Sequence, residues 1–332
     1  MPKHRFHLDF YPSKGGDGLS VALPRLDFRP AVEYVQFEAL QSNCGQFPTS
    51  GRAVVEPVYT NGGPTLAGLR MTAPVSGGGS FTAGLTLDYF TELAELYHSA
   101  LVKAGKLPEN EEQEWIVSAM AGDDGIDCER PAVELNLEIH PACLRDYLER
   151  SEPVSVSGQD PFPVFLPRVT LTEIGELARE AAPKECGGVL LGHLLRDSEG
   201  GRLFVEVTAQ TPALQAVGGE TELRFGPDAW QEVRAAIRRR NREEIWVGWW
   251  HSHTPFSWAD KCGSCPLDKQ RRCELATRLF SPQDRALHTA VAGRALHVAT
   301  VANVLSGGEV SHACFGWREG RIRNRGYWIT EV

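Results

Sequence analysis

Two histidines separated by one residue, His251 and His253, follow a largely apolar run. Side chains two residues apart on a strand point to the same face, so both imidazoles can reach one metal ion. An aspartate from another segment, such as Asp284, can complete a set of three ligands and leave one position for water. That arrangement is typical of a catalytic zinc site rather than a structural one. A glutamate outside the ligand set, such as Glu185, would then act as the base.

Each of these segments has a simpler explanation when it is considered alone. His251-Ser252-His253 can be two packed or surface histidines at a strand end. Ser281-Pro282-Gln283-Asp284 is a good helix start, with serine as the N-cap residue and proline at the first helical position. Glu185 is a charged residue shortly before a glycine pair. The metal hypothesis therefore depends on the occurrence of all three segments in one chain.

The elements that must position these residues lie in the second half of the chain, where helices and strands alternate. An apolar stripe over residues 174–181 predicts a helix, and Trp230 to Ile237 marks another. Predicted strands cover residues 189–191, 203–207, 245–250 and 296–301. This order indicates a mixed α/β fold around one central sheet. We assign it to residues 158–332, with a cysteine-rich insertion at about 257–278.

The first part of the chain, residues 1–157, is predicted to be a separate α+β domain. Residues 32–37 suggest a strand, and the stretch 46–84, rich in Gly, Pro, Ser and Thr, suggests turns and mobile loops. Helical spacing of apolar residues predicts a helix over 88–104. This domain shows no pattern of catalytic residues, and we expect it to recognise a substrate or partner.

Composition narrows the classes of partner. The chain of 332 residues is long enough for two domains, and its net charge of -9 disfavours nucleic acid, because phosphate binding needs a basic surface. The local exception, Arg238-Arg239-Arg240, suits a helix C-terminus. No apolar run is as long as a membrane span, and the start shows no secretory signal, so we expect a cytoplasmic protein without a membrane partner.

The conjunction of these segments resembles the JAMM metalloprotease family, which is also known as the MPN or JAB-domain family. Residues 183–192 are similar to its first strand motif, and the remaining signature resembles His251-Ser252-His253 and Ser281-x-x-Asp284. The resemblance covers residues 164–304. It implies a cytidine-deaminase-like central sheet flanked by helices.

The resemblance also implies a role for each residue of the signature. His251, His253 and Asp284 would hold a catalytic Zn2+, with water as the fourth ligand. Glu185 would take a proton from that water and deliver it to the leaving amine. Ser281 would donate a hydrogen bond to the carbonyl oxygen as negative charge develops on it.

The chain departs from the family pattern after the second histidine. Thr254 stands where the family usually has proline, and Pro255 follows it. The segment between His253 and Ser281 is also longer than is typical, and it holds the cysteine-rich insertion.

The insertion contains Cys262, Cys265 and Cys273, whose spacing suggests a second, structural zinc. Three thiolates need one more ligand to complete a tetrahedral site, and His288 is the leading candidate. The alternative fourth ligands are Cys314, His312 and His297. The competing interpretation is three cysteines without a metal.

Three functions remain open from the sequence. The first is a zinc isopeptidase or peptidase, which the resemblance implies would cleave after the C-terminal tail of ubiquitin or a ubiquitin-like protein, acting on its conjugates alongside conjugation-pathway proteins. The second is a nucleobase deaminase, disfavoured because His253 stands where those enzymes place a glutamate. The third is a non-catalytic binding module whose zinc only stabilises the fold.

Overall fold

A computed structural model describes most of the chain. The described residues are 3–12, 18–42, 47–60, 63–108, 113–135, 137–155, 161–213, 217–218, 223–224, 227–254 and 265–331, with the backbone alone at 217–218, 223–224 and 227–230. They form two compact units. One comprises Met1–Leu135 with Glu319–Arg321, and the other comprises Asn136–Arg318 with Ile322–Val332.

Within the described residues, the first unit contains two antiparallel sheets and two α-helices. Its elements, in chain order, are β1 (Lys3–Pro12), β2 (Leu19–Leu23), α1 (Arg29–Gln41), β3 (Gly51–Tyr59), β4 (Leu66–Val75), β5 (Gly79–Thr86), α2 (Thr91–Lys103), β6 (Gln113–Ala121), β7 (Ile126–Asp127) and β8 (Glu129–Ala132). One sheet has the order β2-β1-β6, with β7 also paired to β1, and the other has the order β5-β4-β3-β8. The expected α+β composition of this part is therefore present.

Two local predictions for this unit are wrong. Residues 32–37 belong to α1, whose buried residues include Val32, Val35, Gln36, Ala39 and Leu40. Their spacing of three and four is that of one helix face, so tertiary packing outweighs the strand preference of the short run. The described residues of the stretch 46–84 form β3, β4 and most of β5 rather than loops, because alternate apolar residues such as Val55, Leu69 and Met71 are buried on one face of the sheet.

The second unit contains the longer sheet. Its elements are β9 (Ile139–Ala142), α3 (Leu144–Glu149), β10 (Ser151–Val154), β11 (Val164–Pro167), α4 (Arg168–Ala181), β12 (Gly187–Asp197), β13 (Leu203–Pro212), β14 (Val217–Gly218), β15 (Leu223–Arg224), α5 (Pro227–Arg240), β16 (Ile245–His253), α6 (Leu267–Gln270), α7 (Glu274–Thr277), α8 (Pro282–Val291), β17 (Val298–Val304), β18 (Val310–Arg318), β19 (Arg321–Arg325) and β20 (Tyr327–Thr330).

The ten-stranded sheet of this unit has the order β10-β20-β11-β13-β12-β16-β17-β18-β19, with β9 paired to β12. The sheet is mixed: β12 runs antiparallel to β13 and β16, whereas β11 runs parallel to β13 and β20, β9 to β12, and β16 to β17. Helices connect several of the strands, so the mixed α/β class with one large sheet is confirmed. The three central strands β12, β16 and β17 are almost entirely buried, which explains their continuous apolar sequences.

The boundary between the units lies earlier than the sequence suggested. β9, α3 and β10 were expected in the first domain, but they belong to the second unit. The reason is strand pairing, since β9 adds to β12 and β10 adds to β20. Neither pairing is visible in the local sequence, because each joins segments far apart in the chain.

Two further expectations concern the helices. The three arginines Arg238, Arg239 and Arg240 occupy the last turn of α5, as predicted.

Among the described residues, no helix combines the length and apolar character needed to cross a membrane.

The close approach of β16 and β17 requires a glycine, and this can be tested. A Cβ atom at Gly248 would lie 2.0 Å from the carbonyl oxygen of Val298. We expect Gly248→Ala to destabilise the second unit by about 1–3 kcal/mol, the usual cost of overpacking a core. Urea unfolding followed by tryptophan fluorescence measures this, since Trp246, Trp249 and Trp250 all lie in the same strand.

Gly175→Ala is the matched control for that substitution. Gly175 lies within α4, and an added Cβ would be 3.7 Å from the nearest side-chain atoms, an ordinary contact. Alanine favours helix over glycine, so this variant should gain up to about 1 kcal/mol. Equal destabilisation by both substitutions would contradict the steric explanation.

Candidate metal centre

The two histidines of the His-Ser-His segment lie at the C-terminal end of β16. His251 and His253 are 1% and 3% exposed, so both rings are buried. They project to the same side of the strand, as the spacing predicts, with ring centroids 4.7 Å apart. Their Nε2 atoms are 3.1 Å apart. Two imidazole nitrogens therefore meet at one point.

Asp284 lies in the first turn of α8. The helix begins at Pro282, and Ser281 is its N-cap residue, as predicted. The hydroxyl of Ser281 accepts from the Asp284 N–H (3.1 Å), and the Asp284 carboxylate accepts from the Ser281 N–H (2.7 Å). This capping box limits the rotamers of Asp284, because one carboxylate oxygen is held at the helix start.

The carboxylate of Asp284 faces both histidines. Its Oδ1 lies 3.2 Å from Nε2 of His251, and its Oδ2 lies 3.4 Å from Nε2 of His253. The three residues form a group whose donor atoms lie within 4.8 Å of one another. The structure thus brings together the three ligands expected from the sequence.

The charges of this group reinforce one another in the metal-free protein. Burial alone lowers the pKa of His251, but the Asp284 carboxylate outweighs it and raises that pKa above its usual range. Burial likewise opposes ionisation of Asp284, but the two histidines hold its pKa well below its usual range. Asp284 is therefore an anion at neutral pH, which is the form that ligates a metal.

A second contact joins β16 to α8 beside this group. The indole N–H of Trp249 donates to Nδ1 of His288 (2.9 Å), and the Trp249 ring stacks on His251 at 4.8 Å. Trp249 precedes His251 by two residues on the strand, and His288 follows Asp284 by one turn of the helix. The Trp249–His288 pair and the His251–Asp284 pair therefore connect the same strand to the same helix at neighbouring positions.

Glu185 lies at the same end of the sheet. It lies two residues before the first residue of β12, is 8% exposed, and is not one of the three converging donors. Gly187 pairs with His251, and the Ser252 N–H donates to the Cys186 carbonyl (2.8 Å). The same register places Glu185 at the level of His253. Its negative charge also contributes to the raised pKa of His251.

Two buried hydroxyl groups hold the segment around Glu185. The Oγ of Ser252 accepts from the Cys186 N–H (3.0 Å), and the Oγ1 of Thr254 donates to the Pro183 carbonyl (3.3 Å). Both residues are 0% exposed. Thr254, which stands where the family usually has proline, therefore helps to hold the backbone beside Glu185.

Ser281 serves as a cap and remains able to donate. In the cap its oxygen accepts a hydrogen bond, which uses a lone pair and leaves the O–H proton for another acceptor. The structural role seen in the sequence and the hydrogen-bonding role implied by the resemblance are thus compatible.

The structure places His288 away from the cysteines. Cys262 lies outside the described residues, while Cys265 and Cys273 pack against Ala276 and Leu305. Among the residues that the structure describes, neither cysteine joins His288 in a group of converging donors. The same is true of the alternative ligands Cys314, His312 and His297. His288 as the fourth ligand is corrected, because within the described residues its ring nitrogens do not converge with Cys265 and Cys273, and its Nδ1 accepts from Trp249.

Hydrogen bonds order the described part of the insertion. The buried amide of Gln270 donates to the Cys265 carbonyl and to Oγ of Ser306, both at 2.7 Å, and accepts from the Ser306 N–H at 2.9 Å. Arg271 forms an ion pair with Glu309 (2.6 Å). These contacts attach α6 to the β17–β18 turn.

Two groups of functional interest were not identified from the sequence. The first is the Trp249–His288 pair. The indole of Trp249 is buried in the core, where the sequence alone suggests only an apolar packing role. The second is Asn303, which accepts from Nδ1 of His253 (3.2 Å) and is 0% exposed. An amide inside the otherwise largely apolar run 298–304 was the available signal, because buried amides require hydrogen-bond partners.

The comparisons with known proteins agree with this location of the site. Residues 167–265 match the family described as prokaryotic homologs of the JAB domain. The C-terminal half of the chain contains a JAB-type domain. The matched region includes Glu185, His251 and His253 and ends before Asp284. No curated protein matches the chain significantly.

One solved structure shows a limited likeness. It is the solution structure of protein DSY2949 from Desulfitobacterium hafniense, with 18% identity and a TM-score of 0.35. The alignment covers 51% of this chain and 94% of that chain. A likeness of this size carries no argument about the JAB-type domain.

The role of His288 can be tested with His288→Gln. Burial lowers the pKa of His288 to about 3 from an ordinary 6.5, so the unfolded chain binds more protons than the native protein between these values. Stability due to this group is present above pH 6.5 and is lost as the pH falls toward 3. Glutamine can still accept from Trp249 but cannot titrate, so the variant should lose less stability between pH 7 and about pH 4.5.

Urea unfolding at the two pH values measures this difference, and metal analysis at pH 7 accompanies it. His288→Gln should bind as much zinc as the wild type. Lower zinc content in the variant would restore His288 as a ligand, and an unchanged pH dependence would contradict the neutral, buried state of the ring.

Proposed function

We propose that the JAB-type domain is a zinc-dependent isopeptidase or peptidase that cleaves after the tail of ubiquitin or a ubiquitin-like protein. The observation that carries the proposal is the convergence of His251, His253 and Asp284, with Glu185 beside them. Two imidazoles and one carboxylate are the ligand set of catalytic zinc sites, which keep a position for water.

The spacing of the donors fits a zinc ion. The three donor–donor distances are 3.1, 3.2 and 3.4 Å. Ligands at about 2.0–2.1 Å in a tetrahedral site are separated by about 3.3 Å. The two imidazole nitrogens are therefore close to this separation, and each of them has a different oxygen of the Asp284 carboxylate at a similar distance. Two neutral imidazoles with an ionised carboxylate would hold the ion there.

Zinc at this position would polarise a water molecule and the carbonyl group of the substrate. The chain's own residues supply the proton movements. Glu185, fixed at the strand end by Ser252 and Thr254, accepts the proton from water and returns it to the departing amine. The free O–H of Ser281 donates to the carbonyl oxygen as it gains negative charge.

The donor set also separates this proposal from the deaminase alternative. Zinc deaminases combine one histidine with cysteines, and their general acid/base is a glutamate that follows the histidine closely. The third donor here is a carboxylate, and within the described residues neither Cys265 nor Cys273 joins the group. Amide hydrolysis is therefore favoured over attack on a nucleobase.

The proposal extends to the substrate, the partners and the cellular location. The resemblance of the signature and the matched JAB-type region support a ubiquitin-like substrate. We propose that the first unit recognises this protein or a conjugation-pathway partner, and that the protein acts in the cytoplasm. We also retain a second zinc on Cys262, Cys265 and Cys273, with a fourth ligand other than His288.

The central test compares Asp284→Ala with Glu185→Gln. Asp284→Ala removes a ligand and should contain one zinc fewer than the wild type, without cleavage. Glu185→Gln should keep the zinc and lose cleavage by about 10²- to 10⁴-fold, because only the proton acceptor is changed. Metal analysis and cleavage of a ubiquitin-like protein fused through its tail measure both properties.

Cys265→Ser serves as the matched variant for the second zinc, since its side chain lies outside the His–Asp group. Unchanged zinc content in Asp284→Ala would refute the ligand assignment. Normal zinc content in the wild type without cleavage of any fusion would favour the non-catalytic binding module.

A further inference from the structure

Asn303 occupies a position from which it can control one of the two histidines. It lies near the end of β17, and the parallel pairing of β16 with β17 places it directly beside His253. It is 0% exposed. An amide buried this deeply must satisfy its polar atoms within the protein.

The contacts of Asn303 determine the orientation of its amide. Nδ2 lies 3.1 Å from the carbonyl oxygen of Thr277 and 3.5 Å from that of Ser311. Carbonyl oxygens only accept, so the amide nitrogen must face them. The amide oxygen therefore faces Nδ1 of His253, at 3.2 Å.

This orientation determines the tautomer of His253. An amide oxygen cannot donate, so Nδ1 of His253 must carry a proton to bond with it. In the neutral ring Nε2 is then unprotonated. Its lone pair points toward His251 and Asp284, where the donor atoms converge.

His251 shows no corresponding partner. Its Nδ1 is buried and, within the part of the chain that the structure describes, forms no hydrogen bond. The ring is instead held by stacking on Trp249. The two histidines are thus oriented in different ways, one by an amide and one by an aromatic ring.

We propose that Asn303 is a positioning residue that holds His253 as the Nδ1–H tautomer and so presents its Nε2 lone pair to the metal. The part of this inference that concerns metal affinity rests on the proposed zinc function, whereas the tautomer does not. Partners of this kind typically change metal affinity 10- to 100-fold.

The competing explanation is that Asn303 only anchors the insertion, because its Nδ2 also bonds the last residue of α7. Gln270 provides a matched control. It is also a buried amide that attaches the insertion to the β17–β18 turn, through Cys265 and Ser306. Within the described part of the chain, its side-chain hydrogen bonds go to these two residues and not to His253, so Gln270→Leu should loosen the insertion alone.

The first measurement uses the metal-free full chain labelled with ¹⁵N in histidine, at about pH 8. The His253 signal is identified by its loss in His253→Gln. We expect the Nδ1–H tautomer in the wild type and in Gln270→Leu, and a mixture of tautomers in Asn303→Leu. An Nε2–H tautomer in the wild type, or an unchanged tautomer in Asn303→Leu, would overturn the proposal.

The second measurement is zinc affinity by competition with a chelator. Asn303→Leu should bind zinc about 10- to 100-fold more weakly, and Gln270→Leu should match the wild type. Asn303→Asp keeps an acceptor for Nδ1, so it should recover affinity even where its carboxylate, facing two carbonyl groups, lowers stability. An equal loss of affinity in Gln270→Leu, or no recovery in Asn303→Asp, would contradict the positioning role.

The two measurements separate this inference from the zinc proposal. A wild type that binds no zinc at His251, His253 and Asp284 would refute the metal site. The tautomer of His253 would still decide the role of Asn303.

Discussion

The packing of the end of β16 against the first two turns of α8 is the constraint on which the site depends. Trp249 contacts His288. Two residues later on β16, His251 contacts Asp284, which lies one turn before His288 on α8. The first pair is buried and neutral, and the second pair carries the charge. Because the strand and the helix are joined at two levels, the angle between them is restricted, and so is the place where the donor atoms converge.

Burying three ionisable side chains together costs free energy unless they compensate one another. The compensation here is local. The Asp284 carboxylate receives the Ser281 N–H and lies between two imidazoles, while an amide holds His253 from behind. A metal ion bound here would replace the contacts among His251, His253 and Asp284 with coordination bonds. The folded chain already holds these side chains together, so metal binding would not have to assemble them.

Buried amides contribute to the order of the described part of the insertion. Gln270 and Asn303 are buried amides that bond to its backbone from one side, at Cys265 and Thr277. Leu305 supplies an apolar contact to Ala276.

Local sequence was sufficient for several features, because each depends on neighbours a few residues away. The spacing of His251 and His253 required a common face, Ser281 formed the expected N-cap of α8, and the alternation of helices and strands indicated the α/β sheet. The strand predicted at 32–37 failed because six residues did not reveal the helical face of α1.

Tertiary structure alone decided which distant residues meet. The order β12-β16-β17 brings Glu185 and Asn303 to either side of the histidines, and no local pattern encodes that register. It also assigned His288 to Trp249 instead of the cysteines. The physical reason is that a side chain's partner follows from strand pairing and helix packing over the whole sheet, whereas its chemical capacity is a property of the residue itself.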